Sequence, residues 1–150
     1  MIADLLRRLA AASETHDLPS VHGRHALAAL MVRIARSDGN YSDIERARVD
    51  RALAAQYGLA PAEARRLREE AEIDEEGAPD TVRFTRLIKD AVPYEERSGV
   101  VEALWRVAAA DGINADEHGL MRLVANLLGV TDQDSGLARQ RALRAAGREA

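Results

Sequence analysis

The sequence predicts an all-α single domain of about seven to eight helices, built from two pseudo-symmetric helical-hairpin halves. Three observations predict it. Apolar residues are plentiful but are mostly Ala, Leu and Val, and aromatics make up only 3% of the 150 residues, so strand formers are scarce. Apolar positions recur at helical spacing, three and four apart. A helix, Asp-Gly corner, helix pattern occurs twice. The length suits one domain over residues 1–150, with a core at about 24–139 and flanking helices at 2–16 and 132–145 packing on it.

A first helix is expected from about Ile2 to His16, carrying Ile2, Leu5, Leu6 and Leu9 on one face. Pro19 breaks it. A second runs from about Val21 to Ser37, with Leu27, Leu30, Met31 and Ile34 as its core stripe. Asp38-Gly39 ends it. A third starts at Ser42, because Ser42-Asp43-Ile44-Glu45 fits a capping box. It buries Val49, Leu53 and Tyr57 and stops at Gly58. Pro61 opens a fourth, expected to end near Ala71 or Glu72. The acidic run Glu69 to Glu76, followed by Gly77-Ala78-Pro79, reads as a solvated helix end and a loop between the halves. Asp80 or Thr81 begins a fifth helix with Val82, Phe84, Leu87 and Ile88, interrupted by Pro93. A sixth, from about Tyr94, buries Val100, Val101, Leu104, Trp105, Val107 and Ala108. After Asp111-Gly112 a seventh carries Leu120, Met121, Val124, Leu127 and Leu128, and Gly129 ends it. Thr131 caps a last helix, where Leu137 and Leu143 are the expected anchors and the tail beyond about Ala145 frays.

The halves align at an offset of 73 before the corners and 71 after them. Leu27, Met31, Ile34 and Ala35 fall on Val100, Leu104, Val107 and Ala108, and Tyr57-Gly58-Leu59 falls on Leu128-Gly129-Val130. Such a repeat predicts two similar hairpins in one core about an approximate two-fold axis.

Each corner gathers carboxylates around one helix start. The first has Asp38, Asp43 and Glu45; the second has Asp111, Asp116 and Glu117. Asn40, Ser42 and Asn114 add neutral oxygens, a set suited to hard cations such as calcium or magnesium. His118 would favour a transition metal. The corners are not EF-hands, because Gly stands second and Val49 occupies the twelfth position from Asp38. Capping explains Glu45 and Glu117 equally well. Asp38 and Asp111, however, follow helix C-termini, where the dipole disfavours negative charge. His22 and His25 are expected at the surface, and Trp105 in the core or an interface.

Other functions find little support. The net charge of −4 disfavours non-specific nucleic-acid binding. With no cysteine there is no disulfide, thiolate metal site or cysteine nucleophile. Asp4, Arg7 and Arg8 interrupt the N-terminal apolar run, so no signal peptide is expected. No run approaches the roughly 18 apolar residues of a membrane span. A soluble, cytoplasmic protein is expected, with no phosphate-binding loop and no Ser-His-Asp order.

The ordered double pattern resembles the TerB family, the tellurite-resistance protein B-like domains, in its bacterial stand-alone branch. The resemblance rests on Ala35-Arg36-Ser37-Asp38-Gly39 and Ala108-Ala109-Ala110-Asp111-Gly112, on the acid six or seven residues after each Asp, and on Leu128-Gly129-Val130. Val82-Arg83-Phe84-Thr85 and Glu95-Glu96-Arg97 ahead of Leu104-Trp105-Arg106 add to it, over roughly Arg24 to Arg139. It implies an all-helical, internally symmetric fold without enzymatic activity, and a metal centre at the acidic corners. It also implies stress responses and membrane-associated tellurium-resistance complexes as the setting, so a protein partner is expected. Carried over by position, Asp38 and Asp111 match the corner Asp and Glu45 the later acid. In the second half the acid comes one place sooner, at Glu117, and His118 stands at the later place.

The resulting expectation is a non-enzymatic module binding a divalent ion (calcium, magnesium, manganese or zinc). Asp38 and Asp111 would be primary ligands, Glu45 and Glu117 supporting ligands, and Asp43 and Asp116 second-shell groups. The alternative is a metal-free protein-interaction scaffold, in which the acids only cap helices and a homodimer interface involves the fourth or last helix.

Overall fold

The computed structural model describes residues 22–37, 39–78, 80–108 and 115–149, with the side chains of 115, 116, 146, 148 and 149 left out. The expected helix at 2–16, Asp38 and the second corner at 111–114 lie outside these residues. Among the described residues there are seven α-helices, one 3-10 turn and no strand. The helices are α1 (22–36), α2 (Asp43–Tyr57), α3 (Pro61–Gly77), α4 (Val82–Ala91), α5 (Arg97–Ala108), α6 (Ala115–Leu127) and α7 (Asp132–Glu149). The 3-10 turn, Tyr94–Glu96, occupies the expected start of the sixth helix, because Pro93 keeps that turn from continuing α4.

Burial identifies α1 and α5 as the central pair. From Ala26 to Ala35 every residue but Arg33 is buried, and from Val100 to Ala108 every residue but Glu102 and Arg106 is buried. A helix apolar on nearly every side must lie inside, so the stripe expected on α1 is in fact almost its whole surface. The other helices cover this pair. α5 packs against α2, α6 and α7, while α2 also meets α3 and α6 also meets α7. Trp105 donates its indole N–H to Ser135 Oγ at 3.0 Å, which fixes α7 on α5.

The repeat is carried into three dimensions. α2 ends at Gly58 (φ 63°), where Leu59 N–H bonds Ala54 C=O at 3.1 Å. α6 ends at Gly129 (φ 78°), where Val130 N–H bonds Ala125 C=O at 2.9 Å. Both stops use a left-handed glycine to return the last carbonyls to amides. Arg97 adds a side-chain cap, donating to Lys89 C=O, Val92 C=O and Leu128 C=O, and so ties the ends of α4 and α6 together.

Three expectations are corrected. α3 continues to Gly77 instead of ending near Ala71 or Glu72, so the acidic run is helix and not loop. In α7, Leu137 and Leu143 are exposed at 46% and 44%; the buried residues are Ser135, Ala138 and Ala142, small side chains that let α7 approach α5 closely. α7 also continues past Ala145, to Glu149.

Gly23 marks a tight crossing, since a Cβ there would lie 2.8 Å from Ala91 Cβ at the end of α4. Overpacking of that kind costs about 1–3 kcal/mol, more than the roughly 0.5–1 kcal/mol of helix propensity that Ala adds. Gly23→Ala should therefore lower stability by about 1 kcal/mol in urea denaturation. Adding Ala91→Gly should recover more than its single-variant effect predicts, whereas simple additivity would show that the crossing has room.

Candidate metal centre

The first corner begins where α1 stops. Ser37 Oγ donates to Ile34 C=O at 2.7 Å, and Gly39, at φ 80°, donates its N–H to Arg36 C=O at 2.9 Å. The chain then turns through Asn40 and Tyr41 to Ser42, whose Oγ accepts the Glu45 N–H at 3.4 Å. Ser42 is thus the N-cap of α2 and Glu45 its third residue. Glu45 is buried, 9% exposed. Asp43 has a fully exposed carboxylate paired with Arg46 at 2.7 Å.

In the second corner, Glu117 is the third residue of α6 and is likewise 9% exposed. The offset between helix starts is therefore 72, and Val49, Ala52 and Leu53 correspond to Met121, Val124 and Ala125. Glu117 arrives one place sooner in sequence yet occupies the same helical position as Glu45. His118 is exposed, its ring centre 6.0 Å from that of Trp105. Asp116 starts α6, but its side chain is among those left out. No cluster of three or more His, Asp or Glu suited to a metal exists among the described residues.

Behind the first corner lies an ionic network that periodicity did not reveal. Arg33 is the one residue of 26–35 that is not buried, and its Nε meets Glu75 at 3.3 Å. Its other nitrogens donate to Ala78 C=O at 2.8 Å, Glu75 C=O at 3.3 Å and Thr81 Oγ1 at 3.3 Å, which closes the end of α3. Arg36 pairs with Glu75 and reaches Glu76 at 3.3 Å. Arg68 grips Asp50 with two nitrogens, at 2.6 and 3.4 Å, and Glu72 with the third, at 2.9 Å. The Tyr41 ring lies between Arg36 and Arg46, 4.9 and 4.8 Å from their guanidinium carbons. Two sequence signals were available: an arginine inside an apolar helix, and the Arg68–Glu72 spacing of four. His25, with no acid nearby in sequence, meets Glu70 at 2.8 Å. The groove of about 710 Å³ between α1, α3 and α4, lined in part by His22, His25, Ile73 and Phe84, contains no corner residue.

Two tyrosines respond to these surroundings. Burial, then the Glu72 carboxylate, push the Tyr41 hydroxyl up to about 12. Burial does the same to Tyr57, to about 12, against a lowering by Arg24. The fold holds both neutral, so their contribution to stability is complete below pH 10 and is lost as pH rises through about 12. Absorbance at 295 nm should show both ionising late, together with loss of structure; normal ionisation in the intact fold would contradict their burial. Within the network, Glu75→Gln should cost about 2 kcal/mol, since two half-buried guanidiniums lose their carboxylate. Glu69→Gln, which breaks only an exposed pair with Arg65, should stay within about 0.5 kcal/mol. Equal midpoints in urea for the two variants would refute a structural role for the network.

A family model described as tellurite resistance protein TerB matches residues 24–140. No curated protein and no solved structure matches the chain. The match begins near the start of α1, takes in both corners and ends within α7, so it spans both halves of the repeat. The all-helical fold, the doubled corner and this match make the chain a member of the TerB family.

Proposed function

We propose that this TerB-family chain is a non-catalytic helical module that binds a divalent cation through its two acidic corners. One observation carries the reading: Glu45 and Glu117 are buried carboxylates at the same position of equivalent helices. Burying a carboxylate is costly unless positive charge or hydrogen-bond donors offset it. Helix N-termini compensate in part. A hard cation held by oxygen ligands would compensate further.

Asp38 and Asp111 would supply the direct ligands, with Glu45 and Glu117 in support. Asp43, exposed and paired with Arg46, would at most help the first corner from outside, and Asp116 would act likewise in the second. Calcium or magnesium suits this donor set best; manganese is compatible, and His118 gives zinc one nitrogen donor. The bound ion would supply charge neutralisation and a bridge between the halves. The family's description supports a tellurite-resistance setting; a stress-response role in the cytoplasm, with a protein partner in a membrane-associated complex, is part of the same proposal. No helix among the described residues is long and apolar enough to cross a membrane.

A metal-free scaffold is the second reading, and two observations favour it. Ser42 caps α2 with its own side chain, and Leu123, Leu137 and Leu143 expose apolar surface on α6 and α7. That surface would suit a protein partner or a second copy of the chain.

The test is a titration of chelator-stripped protein with calcium, magnesium, manganese and zinc, followed by calorimetry and melting. Saturating ion at 100 times its dissociation constant should add about 2.7 kcal/mol, which moves the melting point by several degrees. Asp38→Asn/Asp111→Asn should abolish the effect, and Glu45→Gln/Glu117→Gln should weaken it. No saturable binding by any of the four ions would defeat the metal reading. Mass that rises with concentration in light scattering would then favour the scaffold.

A further inference from the structure

Comparing the two halves exposes a second site, distinct from the acidic corners although His118 borders both. α3 and α7 correspond at an offset of 71: Ala64, Leu67, Arg68 and Ala71 match Ser135, Ala138, Arg139 and Ala142. In the first half Arg68 is saturated by Asp50 and Glu72. In the second half the arginine persists as Arg139, but both acids are gone. The α2 position of Asp50 is taken in α6 by Arg122, and the α3 position of Glu72 is taken in α7 by Leu143.

Arg139 has consequently lost its anion. Its Nε is buried and without a hydrogen-bond acceptor, and no described residue pairs with its charge. Its guanidinium carbon rests 5.3 Å from the centre of the Trp105 ring. Beside it opens a cleft of about 390 Å³ between α5, α6 and the start of α7. Arg139, Arg122 and His118 line this cleft, with Trp105 and Ser135. Ser135 Oγ accepts the Trp105 N–H, which leaves its own proton to donate. The one carboxylate on the described lining, Asp132, is exposed and engages Arg122 at 3.5 Å. An exposed pair of that kind is weak and yields readily to a better anion.

We propose that this cleft binds a small organic molecule through an oxyanion, phosphate or carboxylate, which takes the place that Asp50 and Glu72 fill beside Arg68. Arg139 and Arg122 supply charge, and a guanidinium fork matches either group. His118 and Ser135 add further hydrogen-bond donors. The volume lies in the range of small-molecule sites and exceeds a bare phosphate, so the ligand carries further atoms over the Trp105 edge.

Trp105 is the sole tryptophan and lines this cleft, so its fluorescence gives a direct readout of binding there. Metal-free protein would be titrated with inorganic phosphate and with acetate, using chloride at matched ionic strength as control. The expected result is a saturable change with one or both oxyanions and none with chloride. Phosphate alone identifies a phosphorylated ligand, acetate alone a carboxylate, and both together the shared chemistry. Arg139→Gln should weaken binding at least about tenfold. Arg141→Gln, on the same helix but paired with Glu102, should leave it unchanged. Arg122→Asp, at an exposed position, returns the first half's acid to the second and should abolish binding while the protein stays folded by circular dichroism. It decides the matter should Arg139→Gln not fold. No response beyond chloride, or full binding in Arg122→Asp, would overturn the proposal. Because metal is absent throughout, neither result bears on the corners.

Discussion

Arg33 and Arg36 set a constraint that much of the first half obeys. They sit on the most buried helix of the chain, where a guanidinium without a carboxylate would be costly. Their shared partner, Glu75, lies on α3 and is itself only 13% exposed. α3 must therefore extend at least one turn beyond Glu72 to meet them. That same extension puts Glu72 within reach of Arg46 and Arg68, on two different helices. Arg68 in turn holds Asp50 of α2. The start of α2 and the Tyr41 ring beside it are thereby fixed from behind. The first corner has its shape because three helices share one set of charges. Such pairs add modest net stability but penalise alternatives strongly, since rotating α3 by one residue would strand several charges.

Interactions that are local in sequence were legible, and those that are not were not. Pro61, Ser42, Thr131, Gly58 and Gly129 act within five residues of themselves, and each does in the structure what its type predicts. The core stripe of α2 follows from spacing, whereas on α1 spacing picked out one stripe of a helix buried on nearly every side. The acidic run was misread because most of its partners lie 26 to 45 residues earlier. Without them, Glu69 to Glu76 ahead of Gly77 and Pro79 resembles a solvated linker. The last helix failed for another reason. Hydrophobicity pointed to Leu137 and Leu143, but the α5–α7 contact is made by Ala138 and Ala142, and small residues leave little trace in an apolar pattern.

The candidate site was half legible. The carboxylates around each Asp-Gly pair could be picked out from sequence, and their repetition made them a pair. The capping pattern paired Glu45 with Glu117, whereas counting from each Asp set them one place apart, because the second corner is one residue shorter. Counting from the helix start instead of from the Asp removes the discrepancy, since both are third residues with the same burial. A helix N-terminus measures position from its first free amide, and the capping and dipole effects that favour an acid there follow that origin.

The two halves keep one backbone plan and treat their charges differently. In the first, Arg33 and Arg68 are both answered by carboxylates of the chain itself. In the second, their counterparts Arg106 and Arg139 each bury an Nε without an acceptor among the described residues. A duplicated half that needed only to fold would gain nothing by discarding the acids while keeping the arginines, because buried polar groups without partners cost about 1–3 kcal/mol each. Replacing Asp50's position with a second arginine, Arg122, deepens that cost unless an anion arrives from outside. The first half thus answers its arginines from within, whereas among the described residues the second leaves Arg139 beside Trp105 without a carboxylate.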